Sequence, residues 1–380
     1  MIKGKCCIIG GGSLYRLPVY NQMAKVIDCD YYIGEDERDA SIKSYDYDQL
    51  INFKGVLKHK HLFGTKFYYQ TGALKLLFLP YEYYIVDGAY SINAWLSIIL
   101  TRFSRKKVFS WSHGMYGRET GARKLIKTVF FKLCDGCLVY NQRSKRLMEE
   151  CGVNKEKVHC VYNSQDTDAD LKVRESLKRS HLYSSIFHNN FPNIVFVGRV
   201  TPEKRLDLVI KAIRLLKEKG VYANFMVVGK EVDGVDLVSC AKEEKVNDQV
   251  WMYGPCYDAA IIGELFYNAS VCVSPGNVGL TAISSLTFGC PVITHDNFSY
   301  QGPEFEAIIP GVTGDFFKQG DIQDLAEYIK KWISPDKEKC RDEIRKQAFD
   351  EVDSRWNIYS ESEVFRQLFT SKLENNDSNL

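Results

Sequence analysis

Apolar and polar positions along this chain follow two periods that take turns. Short β-branched or aromatic runs, predicted as strands, fall at 5–9, 83–86, 107–111, 136–140 and 157–162. Stretches of helical period lie between them, as at 92–103 and 123–134. A polar stretch at about 167–193, dominated by Asp, Lys, Ser, His and Asn, marks a domain junction. Beyond it the alternation resumes, with strands at 194–197, 224–228, 250–253, 271–274 and 291–294. The helices between them span 205–219, 235–244, 258–268 and 280–288. The first carries the stripe Leu206, Val209, Ile210, Ile213 and Leu216, and Gly289 with Pro291 stops the last. A final helical pair follows Pro335 and ends near Phe369, and the polar tail 374–380 is expected to be disordered. Strand–helix alternation of this kind predicts a parallel α/β architecture with two Rossmann-like halves.

Two of the strand-to-helix joins carry chemistry. Strand 194–197 breaks at Gly198 and enters a helix whose start holds Arg199, Lys204 and Arg205. A helix N-terminus prefers acids, and Glu203 and Asp207 offset that charge only in part. Strand 271–274 breaks at Pro275 and Gly276 and enters the next helix at Leu280 and Thr281. Unpaired N–H groups at such starts bind anions, and a nucleoside diphosphate would relieve the misplaced positive charge. Gly10, Gly11 and Gly12 follow the first strand and allow a ligand to approach the backbone. Tyr15 stands where a dinucleotide fingerprint needs its third glycine, which argues against a nicotinamide dehydrogenase.

A chain of 380 residues exceeds one ordinary core and points to two domains. A net charge of +2 excludes a polyanion binder of the whole-molecule kind. The start of the chain reads as a first strand and loop, not as a secretory leader. The longest apolar runs, such as 94–100, fall far short of the ~20 residues that span a bilayer. The 12 cysteines are therefore expected as free thiols in a reducing cytosol. Cys134 and Cys137 have C-x-x-C spacing, but no second pair or His cluster completes a zinc site, so they read as a helix end entering a buried strand.

Across roughly 190–330 the sequence resembles the donor domain of retaining GT-B glycosyltransferases of family 4. The stretches that carry the resemblance are 197–208, 250–254, 269–274, 279–292 and 306–314, in the family's order. The first half is more loosely similar, through its Gly-rich loop, Trp111-Ser112-His113-Gly114, Cys134-Asp135 and Val161-Tyr162-Asn163. The resemblance implies two Rossmann-like parallel-sheet domains facing each other across a cleft. Residues 1–168 would bind acceptor, 169–355 would bind a nucleotide sugar, and a helix within 356–380 would cross back to the first domain ahead of a disordered tail. It also implies roles for residues. Arg199 and Lys204 match the basic pair on the donor diphosphate, with Leu280, Thr281 and the loop residue Gly12 also at phosphate. Trp251, Tyr253 and Gly254 fall where the base lies. His113 matches the histidine near the anomeric carbon, a catalytic role shared with Arg199 and Lys204. Asn277, Gly279 and Glu306 fall at the donor sugar. The family's two glutamates, eight positions apart, align with Gly276 and Ser284, so Ser284 would meet the ribose as a neutral group, and Glu304 and Glu306 are the nearest acids left.

On the acceptor side, nine Lys/Arg and a single acid, Glu119, lie between Arg102 and Lys132. Residues 51–79 add five lysines, two histidines and no acid, interleaved with Phe53, Phe63, Phe67, Tyr68, Tyr69 and Phe78. No nucleic-acid module is evident, and such stretches also suit an anionic bilayer surface. Helix 123–134 puts Leu125, Val129 and Leu133 on one side, which fits either a monotopic helix or an ordinary helix packed on a sheet. The expected function is hexose transfer with retention from a nucleoside diphosphate sugar to a lipid-linked glycan, in surface polysaccharide biosynthesis. No cofactor or metal is expected, and the protein would be cytoplasmic, peripheral at the inner face of the plasma membrane. The alternatives are a nucleotide-sugar epimerase of the same fold and an inactive glycan- or nucleotide-binding relative, the latter suggested by Gly276 and Ser284.

Overall fold

A computed structural model describes residues 5–36, 46–62 and 64–377. The chain forms two compact units, Met1–Asp166 with Asn357–Leu380, and Thr167–Trp356. The junctions expected at 168/169 and 355/356 thus lie at 166/167 and 356/357.

The first unit runs β1 (Cys6–Gly11), α1 (Arg16–Val26), β2 (Cys29–Glu35), β3 (Phe53–His61), β4 (Tyr68–Gln70), β5 (Tyr83–Val86), α2 (Ile92–Thr101), β6 (Lys107–Trp111), α3 (Gly121–Leu133), β7 (Gly136–Val139), α4 (Gln142–Glu150) and β8 (Val158–Cys160). The sheet order is β4-β3-β2-β1-β5-β6-β7-β8, and among the described residues only the β3–β4 pair is antiparallel. Its central strands are buried on both faces, so they read as continuous apolar runs without a two-residue alternation. One face is covered by α1 and by the returning helix α14 (Ile358–Asp377), whose Phe365 and Phe369 join Tyr20, Tyr83, Phe109 and Trp111 in one core cluster. The other face buries Ile98 of α2 and Phe130 and Phe131 of α3. Ser91 and Asn141 cap α2 and α4 through the amides of Ala94 and Ser144.

The second unit runs α5 (Thr167–Ser176), α6 (Leu182–Phe187), β9 (Asn193–Val197), α7 (Asp207–Glu218), β10 (Asn224–Val228), α8 (Leu237–Glu243), β11 (Val250–Gly254), α9 (Ala259–Asn268), β12 (Val271–Val273), α10 (Thr281–Thr287), β13 (Val292–His295), β14 (Gly314–Phe317), α11 (Ile322–Trp332), α12 (Pro335–Lys339) and α13 (Arg341–Arg355). Its all-parallel sheet has the order β11-β10-β9-β12-β13-β14. That is the doubly wound 3-2-1-4-5-6 arrangement, which opens a crevice at the carboxyl ends of β9 and β12. The stripe Leu208, Val209, Ile210, Ala212, Ile213 and Leu216 of α7 is fully buried.

Several expectations need correction. The polar stretch 167–193 is not only a junction, since it holds α5 and α6. The helix expected from 205 begins at Asp207, because Pro202–Lys204 forms a 3-10 turn and Arg205 takes a left-handed φ of 51°. The last helix, α14, runs from Ile358 to Asp377. Phe63 and residues 378–380 lie outside the described residues. Cys134 ends α3 and Cys137 lies in β7, both buried. Among the described residues no helix is long and apolar enough to cross a membrane.

Candidate functional site

In the second unit the crevice at β9 and β12 is built from three short segments. Gly198 and Arg199 leave β9, residues 274–280 leave β12, and Lys204 sits on the 3-10 turn between β9 and α7. The segments are locked together. The Gly276 amide donates to the Lys204 carbonyl at 3.0 Å, and the Lys204 ammonium donates to the carbonyl of Asn277. Thr281 Oγ1 donates to the Val197 carbonyl at 3.0 Å, tying the start of α10 to the end of β9. Gln301, buried, accepts from the Val278 amide at 2.9 Å and donates to Thr294 Oγ1 at 2.8 Å. Gly279 takes a φ of 55°, a left-handed turn that favours glycine and delivers the chain into α10.

Lys204 is partly buried, and that loss of water lowers its pKa to about 8, with Glu304 opposing the shift and Arg199 adding to it. Arg199 itself is exposed. Two cations thus stand at a sheet crevice, a geometry suited to a polyanion. Arg205 does not join them. Its guanidinium pairs with Asp207 at 3.0 Å, so the charge that the sequence places at this start is partly neutralised within its own turn.

Gly276 has no room for any side chain: a Cβ there would lie 1.8 Å from the Glu203 carbonyl oxygen. The position that aligns with a family glutamate is therefore closed by backbone packing. Glu304, 3% exposed, lies beside the same loop, since a Cβ on Gly302 would meet its Oε2 at 2.7 Å and Asn277 Oδ1 at 3.2 Å. Glu306 is half-buried on the same 3-10 turn, Pro303–Ala307. Ser284, half-buried on α10, donates its hydroxyl to the Leu280 carbonyl at 3.3 Å. Trp251 and Tyr253 point to the exposed side of the edge strand β11, with Gly254 at its carboxyl end.

The first unit has its own crevice, a cavity of about 490 Å³ lined by Gly10, Gly11, Asp87, Trp111, His113 and Tyr116 among others. It lies at the carboxyl ends of β1, β5 and β6, where the strand order of that sheet reverses. Gly10 is needed because Tyr20 packs beneath it, its hydroxyl 2.3 Å from where a Cβ would be. Gly12 lies just beyond, near Tyr47 and Ile33. His113 follows β6 with its ring stacked on Tyr116 at 5.8 Å between centroids. Its pKa falls to about 4, through loss of water to the cavity wall and then through Arg16 and Lys127. His113 is accordingly neutral at physiological pH. Arg16 lies within 5.2 Å of the rings of Tyr15, Trp111 and Tyr140. Among the described residues no cluster of three or more His, Cys, Asp or Glu is arranged to hold a metal ion.

The sequence patterns thus place Arg199, Lys204, Asn277, Gly279, Leu280 and Thr281 in one crevice of the second unit, and Gly12 and His113 in the first unit. They miss Gln301, a lone glutamine between turns, and Asp87 and Arg16, whose value depends on contacts across the sheet.

The basic stretch is also rearranged by folding. Lys127 is buried against Glu119 at 2.5 Å, Lys106 donates to the Leu79 and Tyr81 carbonyls, and Lys107 pairs with Asp135 at 3.4 Å. By contrast, Leu125 and Val129 of α3 are exposed, while Lys127, Phe130 and Phe131 form that helix's buried side.

Residues 184–350 match the family described as Glycosyl transferases group 1. No curated protein matches the sequence significantly. Among solved structures, HepE from Anabaena in complex with UDP is similar over 97% of this chain and 100% of its own, with a TM-score of 0.72 at 14% identity. A glycosyltransferase from Rickettsia africae gives a TM-score of 0.73 at 15% identity, covering 98% of this chain and 99% of that one. The lipopolysaccharide outer core galactosyltransferase WaaB gives 0.68 at 14%, over 97% and 99%. Residues 184–350 are thus similar to the Glycosyl transferases group 1 family, on a chain whose two mostly parallel sheets have the fold of GT-B glycosyltransferase structures.

Proposed function

We propose that this protein transfers a hexose, with retention, from a nucleoside diphosphate sugar held by the second unit to a glycan acceptor handled by the first. The observation that carries the reading is the Lys204 site: a partly buried ammonium, bonded to the loop that enters α10, beside exposed Arg199 at the switch point of a doubly wound sheet. Preorganised cations at that place stabilise charge as the diphosphate departs. HepE has been solved with UDP and with UDP-glucose, and a uridine diphosphate sugar is the first donor to try here. Arg199 and Lys204 provide the counter-charge that other transferases draw from a metal, and the departing phosphate oxygen assists the acceptor hydroxyl on the same face.

The acceptor reading extends to a lipid carrier at the inner face of the plasma membrane, in surface polysaccharide synthesis. Its support is an apolar face on the first unit. Phe103 is 95% exposed, Phe78 87% and Leu125 63%, with Ile99 and Leu100 beside them on α2. The elements adjoin one another: the ring of Trp95 on α2 packs at a tilt against Phe130 of α3, 5.2 Å between centroids, and Arg102 donates to the Leu133 carbonyl. Lys75, Arg102, Arg105 and Lys124, within three residues of those apolar positions in sequence, are exposed as well, a composition that suits an anionic bilayer surface.

The test of the transfer reading is calorimetric titration with UDP, followed by turnover of a panel of UDP-, GDP- and TDP-sugars. Binding lost in the double variant Arg199→Ala, Lys204→Ala, with sugar transferred by the native protein, supports it. Binding without any turnover points to the inactive relative, and isomerised donor without acceptor points to an epimerase. Sedimentation with phosphatidylglycerol vesicles tests the surface: Phe103→Ser with Leu125→Ser should cut binding at least tenfold, and unchanged binding refutes the docking face.

A further inference from the structure

The cavity of the first unit holds a carboxylate that no sequence pattern marks. Asp87 follows β5 immediately, at the strand end beside β1 where the sheet order reverses. It is gripped on one side only. Tyr68 donates its hydroxyl to Asp87 Oδ2 at 2.8 Å, and Gln70 Nε2 approaches the same oxygen at 3.3 Å. Among the described residues no protein donor reaches Oδ1, and that oxygen stays open to the cavity that Asp87 lines.

The grip is itself supported. Gln70 is 2% exposed, its amide 2.9 Å from His59 Nε2 and its backbone N–H donating to Asn93 Oδ1 at 2.5 Å. His59 stacks on Tyr68 at 4.7 Å between centroids. Gly34 makes space for the group, since a Cβ there would lie 2.4 Å from His59 Nε2 and 2.8 Å from Gln70 Nε2. A carboxylate fixed this way cannot swing, and its free oxygen has a set direction.

The rest of the wall defines what it meets. Tyr68, Tyr90, Trp111 and Tyr116 offer ring surface, and Ser112 and neutral His113 offer short polar contacts. Of the nearest cations, Lys127 is taken by Glu119, and Arg16 bonds Tyr140, lies among the aromatic rings and stands 3.8 Å from Glu361, its Nη1 without a hydrogen-bond partner. An anionic ligand would face Asp87 with a single cation, Arg16, that Glu361 and Asp87 already share. A neutral polyol suits the wall better, donating a hydroxyl to Oδ1 and laying its C–H face on a ring. A volume of about 490 Å³ is in the range of small-ligand pockets.

We infer that Asp87 is an acceptor-binding residue, whose Oδ1 receives a hydroxyl of an uncharged pyranoside seated in this cavity, with Tyr68 and Gln70 as positioning residues. This rests on the proposed transferase reading for calling the sugar an acceptor, but not for the binding itself. The probe is a panel of methyl hexopyranosides, followed by saturation-transfer NMR and calorimetry on the full chain, with UDP titrated separately. At least one glycoside should bind, and Asp87→Asn should weaken it tenfold or more while UDP binding changes less than twofold. Tyr68→Phe, which retains the ring stack on His59, should weaken the same glycoside several-fold and serves if Asp87→Asn fails to fold. In turnover, Asp87→Asn should lose transfer to the glycoside while hydrolysis of the donor by water persists. Equal glycoside binding by native protein and Asp87→Asn overturns the inference, as does a native protein that binds UDP but no glycoside. Asp87-dependent glycoside binding in a protein that ignores UDP would sustain it and remove the donor reading instead.

Discussion

Replacing Lys204 with methionine should stabilise the ligand-free protein while loosening its hold on a nucleoside diphosphate. Loss of water is the chief cause of the lysine's lowered pKa, about 8 against 10.5, with Glu304 opposing and Arg199 reinforcing it. At about 1.4 kcal/mol per pKa unit, keeping the ammonium there costs about 3 kcal/mol at neutral pH. Methionine removes that cost and also the hydrogen bond to the Asn277 carbonyl, a loss of roughly 1.5 kcal/mol. The net gain is about 1–2 kcal/mol, or roughly 3–6 °C in Tm for a unit of this size. The sign with pH is fixed. The unfolded chain holds the lysine proton up to 10.5 and the folded one only to about 8. Native stability therefore rises across that window relative to Lys204→Met, and the gap between them closes. Diphosphate binding runs the other way. It favours the ammonium, so the variant should lose roughly 1.5–3 kcal/mol of UDP affinity, about 10- to 150-fold. Native affinity should itself decline as pH passes 8. Thermal melts from pH 7 to 10.5 and UDP calorimetry at pH 7 and 9 read both effects. A variant no more stable than native, with unchanged UDP affinity, would refute the assignment of Lys204 to phosphate.

Gly276→Ala should lower stability by roughly 2–3 kcal/mol, as overpacking does in a closed site, because its Cβ would strike the Glu203 carbonyl; a urea midpoint equal to native would contradict this. Ser284→Glu should tighten UDP binding by about 1 kcal/mol through a charged partner for the ribose, and weaker binding by calorimetry would remove Ser284 from the ribose position. Turnover of the donor should persist in excess EDTA, since Arg199 and Lys204 provide the counter-charge; activity lost to chelator and restored by magnesium or manganese would show a metal at work.

The fold was legible where burial imposes a uniform pattern. Strands β5, β6, β7, β10 and β12 lie inside parallel sheets, and continuous apolar runs such as Tyr83–Val86 announce them. The left edge of the first sheet was not legible. β3 alternates exposed and half-buried residues, with Lys54, Lys58 and Lys60 on its open side, so its lysines looked like a surface patch. β4 has only three residues and pairs antiparallel to β3, a length at which no periodicity can show. α5 buries no side chain fully, and without an apolar stripe its helical nature left no trace in hydrophobic spacing.

The site divides along the same physical line. Lys204, Asn277, Gly279 and Thr281 sit within eight residues of a strand end, so strand-then-glycine punctuation locates them without any knowledge of tertiary contacts. Arg205 shows where that logic stops: counting charge at a helix start cannot say that Asp207, two residues on, will take one cation out of the site. Gly276 marks a second limit. Read in sequence, a glycine in place of a glutamate is a lost functional group. In the fold, the Glu203–Lys204 backbone fills the space, and Glu304 stands buried beside the same loop. The absence at 276 is thus coupled to a packing choice that joins the Lys204 turn to the loop entering α10, and the hydrogen bond from Gly276 to the Lys204 carbonyl depends on it. A carboxylate restored at 276 alone would not recover a missing contact, because it would first have to push the Glu203–Lys204 backbone out of place.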